Sequence, residues 1–135
     1  MTSAVRLIRS SSLADTSYAY AATAPADARL VVLAGACPLH DDGTTAAVGD
    51  YRGQAAACLD TLTRALAEAG AGLRDVLGTR VLVASSSRED LVAVWGIVSD
   101  AFGDHDVPST LVGVTVLGYP DQLVEIEAIA AVVDA

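Results

Sequence analysis

Leu123-Val124-Glu125-Ile126-Glu127-Ala128-Ile129-Ala130 is the stretch whose reading decides the fold. Side chains alternate faces along a strand, so Val124, Ile126 and Ala128 share one face while Glu125 and Glu127 share the other. The two carboxylates then stand ~7 Å apart at the Cα level. The apolar row marks the core. An acidic row flanked by Leu123 and Ile129 is too costly to bury unpaired, so it calls for solvent, a ligand or donors from a partner chain.

Working outward, Gly118-Tyr119-Pro120-Asp121 reads as a turn, and residues 110–117 before it as a second strand. Asp104-His105-Asp106-Val107-Pro108 is a polar connection. Leu91, Val94, Trp95, Val98 and Phe102 recur at helical spacing; Ser86 and Glu89 form a capping-box pattern in front of them, and Gly103 closes the helix. Residues 79–84 alternate as a strand. An earlier helix is predicted after Asp50 from Ala55, Cys58, Leu59, Leu62, Leu66 and Ala69, with Gly70 and Gly72 stopping it. Residues 5–8, 18–23 and 29–36 make three N-terminal strands, the second carrying Tyr18, Tyr20 and Ala22 on one face. Gly35, near the end of the third, leaves room for a backbone or a ligand to approach.

The order β-β-β-α-β-α-β-β predicts an α+β fold, a mixed sheet with both helices on one face. Its 135 residues suit a single domain over residues 1–135. The opposite face lacks helices to cover it, so self-association is the expected solution.

Composition removes several function classes. The chain has a formal net charge of -9, and its eight basic residues are all arginine. Without lysine there is no Schiff-base nucleophile, lysine-anchored pyridoxal phosphate or Walker-type phosphate lysine, and no cofactor is expected. The arginines are dispersed, which disfavours nucleic acid as a partner. Hydrophobic residues reach 53%, yet no run of about 18 apolar residues could span a bilayer, so no membrane association is expected. The N-terminus lacks the apolar core of a secretory signal, pointing to the cytoplasm. Cys37 and Cys58 do not form a metal or redox motif; Cys58 falls on a helix's apolar stripe, and Cys37 is either a structural or a reactive thiol. His40 and His105 lie in acidic loops and are read as solvated, with no metal site.

Several motifs together resemble the Rid (reactive intermediate deaminase) superfamily, also called the YjgF or endoribonuclease L-PSP family. They are the Tyr-Ala strand before LVVLAGACPL, the helix through Gln54 and AEAGAGLRDVL, REDLVAVWGIVSDAFG, Pro108-Ser109-Thr110 and LVEIEAIA. The resemblance implies a Rid/chorismate mutase-like fold and a homotrimer with ligand clefts between subunits. It also implies imine or enamine hydrolysis, with an arginine soon after the proline gripping a substrate carboxylate and a glutamate positioning water. Tyr20, Gly35 and Glu125 match. Thr110 stands where the arginine is expected, Trp95 where the deaminases often have asparagine, Val112 where they have cysteine, and Ala34 where they have serine.

Glu125 is therefore the candidate catalytic residue, and Tyr20, Gly35, Thr110, Val112 and Trp95 are candidate ligand contacts. Glu127 is expected to be structural, paired with Arg80 or Arg52. With a hydroxyl in place of a guanidinium fork, 2-iminoacids become poor substrates unless another arginine, such as Arg52 or Arg6 of a neighbouring subunit, enters the cleft. Three readings stay open. They are hydrolysis of a small reactive imine, enamine or related carbonyl compound, non-catalytic or regulatory binding of a small molecule, and a repurposed enzyme of a specialised pathway.

Overall fold

The alternation at the end of the chain is realised in the strand Val124–Val132, whose Val124, Ile126, Ala128 and Ala130 are buried while Glu125 and Glu127 are only partly so. A computed structural model describes residues 3–134. In chain order the elements are β1 (Arg6–Ile8), β2 (Ala21–Thr23), β3 (Arg29–Val32), α1 (Tyr51–Glu68), β4 (Val76–Ala84), α2 (Arg88–Phe102), β5 (Ser109–Val114) and β6 (Val124–Val132). A short 3-10 turn, Leu73–Asp75, leads into β4.

Four strands form one mixed sheet in the order β3-β6-β4-β5, with β6 antiparallel to both neighbours and β4 parallel to β5. Both helices pack on one face of it, as the element order predicts. Their buried side chains, among them Cys58, Leu62, Leu66, Val94 and Val98, form one core with Val81, Val83, Val124 and Ile126 from the sheet. Each such aliphatic side chain contributes about 1.5–3 kcal/mol of burial free energy. Truncating Ile126 to alanine at the centre would cost about 2–5 kcal/mol.

The helix ends follow from local chemistry. Asp50 caps α1, its carboxylate accepting from Gly53 N at 2.9 Å. At the other end Gly70 takes φ +77°, and Gly70 N and Ala71 N donate back to Ala67 O and Leu66 O, a Schellman closure. The start of α2 departs from the capping-box expectation. Ser87 is the capping residue and makes no side-chain cap bond; Ser85 Oγ instead donates to Asp90 at 2.6 Å and accepts from Ser87 N.

Strand limits also differ from the sequence reading. β1 and β2 pair with each other as a separate two-stranded ribbon. The chain through Tyr18–Tyr20 is not strand, because Ala19 N is taken up by Asp106 O across the fold. β4 begins at Val76, earlier than residue 79, with a register shift at Gly78 that seats Thr79 N on Pro108 O at 3.0 Å. β3 stops at Val32, but an isolated bridge from Ala36 to Ile126 keeps the following segment beside β6. Among the described residues no helix is long and apolar enough to cross a membrane.

Candidate functional site

The helix-free face of the sheet carries two rows of side chains set by register. One row is Thr110, Arg80 and Glu127; the next is Val112, Leu82 and Glu125. Continuing the Ala36–Ile126 bridge by one residue each way puts Gly35 opposite Glu127 and Cys37 opposite Glu125. The sequence expectation that both glutamates share a face is met.

Glu125 is held at one oxygen and free at the other. Its Oε1 accepts from Gln122 Nε2 at 3.2 Å and from Cys37 Sγ at 3.3 Å. Oε2 accepts no hydrogen bond from the described residues and lies against Gly35. A β-carbon built on that glycine would stand 2.8 Å from Glu125 Cδ and overlap Oε2, so the carboxylate reaches this position only because residue 35 has no side chain. Gln122 is itself buried, accepting from Tyr119 N at 3.1 Å and donating to Val124 O at 3.0 Å. It locks the turn and the glutamate together. Nothing in the periodicity flagged it, because a lone glutamine after a turn carries no pattern.

Cys37 is a donor in this cluster. Burial, then the hydrogen bond and negative charge of Glu125, push its pKa up to about 11. That shift and the hydrogen bond to Glu125 favour the protonated thiol at neutral pH, in keeping with the structural reading of Cys37. Cys58 is buried in the core as expected, and burial drives its pKa higher still.

A hollow of about 800 Å³ opens over the first row. Tyr20, Gly35 and Thr110 line it together with Arg80, Glu127 and Ile129. Three of the candidate ligand contacts thus come together. Glu125, Val112 and Trp95 are not among the residues that border it; Glu125 lies behind Gly35. Val112 lies one row further along, beside Leu82. Trp95 sits behind the wall, donating to Ser17 Oγ at 3.0 Å, with its ring edge-on to Tyr18, which in turn meets Tyr20. It braces the tyrosines. The Tyr20 hydroxyl donates to Ala14 O at 2.6 Å, so its ring forms the wall.

Glu127 pairs with Arg80 at 3.3 Å, one of the two partners expected for it. Neither Arg6 nor Arg52 lines the hollow; the guanidinium that does is Arg80. A smaller hollow of about 360 Å³ also includes Gly35 in its lining, with Cys37, His40, Arg64 and Tyr119 among others. His105 corrects the solvated-loop reading, since it is buried with Nε2 2.9 Å from Val76 O. Its flanking aspartates hid this, because they point away to Arg74 and Arg9. Among the described residues no group of three or more His, Cys, Asp or Glu side chains could hold a metal ion.

Comparison with known proteins places this geometry in context. The family model described as Endoribonuclease L-PSP matches residues 11–132. A Yersinia pestis protein of unknown function from the Rid protein family is 25% identical, with a TM-score of 0.87 over 96% of this chain and 99% of that one. A Mycobacterium tuberculosis member of the YjgF/YER057c/UK114 family is 33% identical, with a TM-score of 0.64 over 95% and 99%. No curated protein matches the chain.

Proposed function

Because this chain belongs to the endoribonuclease L-PSP family, the Rid/YjgF group, we propose that it hydrolyses a small reactive imine, enamine or related carbonyl compound in the cytoplasm. The working form is a homotrimer with its clefts between subunits, needing no cofactor.

The observation that carries this reading is the half-occupied carboxylate of Glu125. Gln122 and Cys37 orient it through Oε1, and Oε2 is left with the side-chain-free surface of Gly35 beside it. A water bound at Oε2 gives up a proton to the carboxylate as its oxygen attacks the carbon of a C=N bond. Glu125 returns that proton to the nitrogen to give a carbinolamine, then takes the carbinolamine's hydroxyl proton and passes it to the same nitrogen, so that ammonia or amine leaves as C=O forms. The sum is C=N plus water giving C=O plus the amine. The positioned base contributes about 10²–10⁴-fold.

Assembly is supported by the bare sheet face, where Leu30, Val32 and Ile129 are 65%, 73% and 46% exposed. An apolar face of this kind is stable in water when another surface covers it.

The test generates an iminoacid or enamine in situ and follows ketone release with the wild-type chain and with Glu125→Gln. Acceleration that falls at least a hundredfold in the variant, with an unchanged circular dichroism spectrum, supports the reading. No acceleration over buffer, or full turnover in Glu125→Gln, removes it. Ligand binding without turnover by the wild type would favour a binding protein.

A further inference from the structure

The outward face of α2 carries charged groups that its own chain leaves without partners. Arg9, Arg29, Arg64, Arg74 and Arg80 each meet a carboxylate of the chain. Arg52, Arg88, Glu89 and Asp100 make no ion pair among the described residues, yet all four line one hollow formed by α1 and α2 alone. Val92, 66% exposed, and Gly96 lie between them.

Arg88, Val92, Gly96 and Asp100 recur every four residues, so they form one row along α2, about 18 Å long. All four are exposed. Three of them suit an isolated helix poorly. Arg88 stands at the positive N-terminal end of the helix dipole and Asp100 in the last turn at the negative end, each at the wrong end for its charge. Glycine weakens a helix interior, and a β-carbon at residue 96 would meet nothing within 4 Å, so nothing in the chain itself asks for the bare position.

The order along the row is positive, apolar, bare, negative. Turned about a two-fold axis midway between Val92 and Gly96, the row becomes its own complement. Val92 fills the gap over the partner's Gly96, and Arg88 comes opposite the partner's Asp100 at both ends. Rows of this spacing interlock when two helices cross at about 50°. A partner carrying one sign of charge would instead be repelled at one end of the row.

We infer that α2 is a self-association surface, on which a second copy of this chain docks antiparallel through Arg88, Val92, Gly96 and Asp100. The surface lies on the opposite side of the molecule from the bare sheet face, so it joins one assembly to another. A contact of one helix buries less than a standard interface, and the association is therefore reversible and concentration-dependent.

The experiment follows weight-average mass by sedimentation over a series reaching about 1 mM of the full chain. The mass rises above that of the basic assembly, and added salt weakens the rise several-fold. A sheet-face trimer sets only the starting mass, so the readout does not depend on it. Arg88→Asp and Asp100→Arg each bring like charges together and weaken association roughly tenfold or more. Mixed in equal amounts, the two variants regain wild-type association, because every pair across the axis is then opposite in sign. A misfolded variant cannot be rescued in this way. Gly96→Leu fills the gap, abolishes the rise in mass and, by improving helix propensity, raises the thermal midpoint. Constant mass over the whole series, single reversals that associate like the wild type, or a mixture that stays apart overturns the assignment.

Discussion

Gly35 and Glu125 contend for one volume. The carboxylate fills the space that a β-carbon at residue 35 would need, and it does so 90 residues away in sequence, across the junction of β6 with the segment after β3.

Gly35→Ala is therefore expected to displace Glu125 from Gln122 and Cys37. Overpacking of this kind costs about 1–3 kcal/mol, and a displacement near 1 Å at a reacting group lowers turnover about a hundredfold. Thermal unfolding and imine hydrolysis measure the two effects separately. Undiminished turnover would show that this contact does not position the carboxylate.

Cys37 should resist alkylation at neutral pH, its rate with iodoacetamide climbing only as pH approaches about 11. Glu125→Gln removes both the acceptor charge and its field, so the rate profile should move to lower pH. The sign for stability follows from the same shift. The fold favours the neutral thiol, so its contribution is intact below the unfolded-state value near 9 and is lost as pH rises toward about 11. Cys37→Ala should flatten the alkaline end of the stability curve.

Arg9 holds the carboxyl of Asp106 below the ordinary carboxylate range through its hydrogen bonds. A depressed folded-state value stabilises above the unfolded pKa, near 4, and the benefit disappears as pH falls through the folded one. Arg9→Gln should lower the urea midpoint at pH 7, and the two proteins should converge near pH 2. A difference that survives acid would assign the effect to packing.

Gln54 is buried on α1 and clamps the turn before β6, accepting from Leu123 N at 2.7 Å and donating to Asp121 O at 2.9 Å. Gln54→Leu should destabilise by roughly 1–3 kcal/mol, since Leu123 N is left without its acceptor. Urea denaturation gives the value. A neutral result would mean that water takes over the bond.

Val32→Glu places a charge on the uncovered sheet face beside Ile129. If the proposed trimer uses that face, sedimentation should show monomers with an unchanged far-ultraviolet spectrum. A trimer that survives the substitution would place the subunit interface elsewhere.

The acidic and apolar rows of β6, the stripe of α1 and its Asp50 and Gly70 ends were legible because each rests on a local rule of period, cap or left-handed glycine. What escaped depends on partners distant in sequence. The family resemblance pointed to Glu125, but that Glu127 and Arg80 border the large hollow follows from the β4–β6 and β4–β5 registers. His105 reads as solvated beside two aspartates until the turn delivers its ring to Val76 O. Trp95, placed by its stripe spacing, proves to brace Tyr18 because α2 packs against the segment before β2, a contact without a local signature.

Gly35 borders both the roomy hollow above Arg80 and the narrower one beside Cys37. The Glu125 carboxylate lies against that same glycine, so the residue common to both hollows also touches the candidate acid-base group. Because residue 35 has no side chain, one backbone position serves three surfaces at once, and any substitution there alters both hollows together with the carboxylate between β6 and β3's continuation.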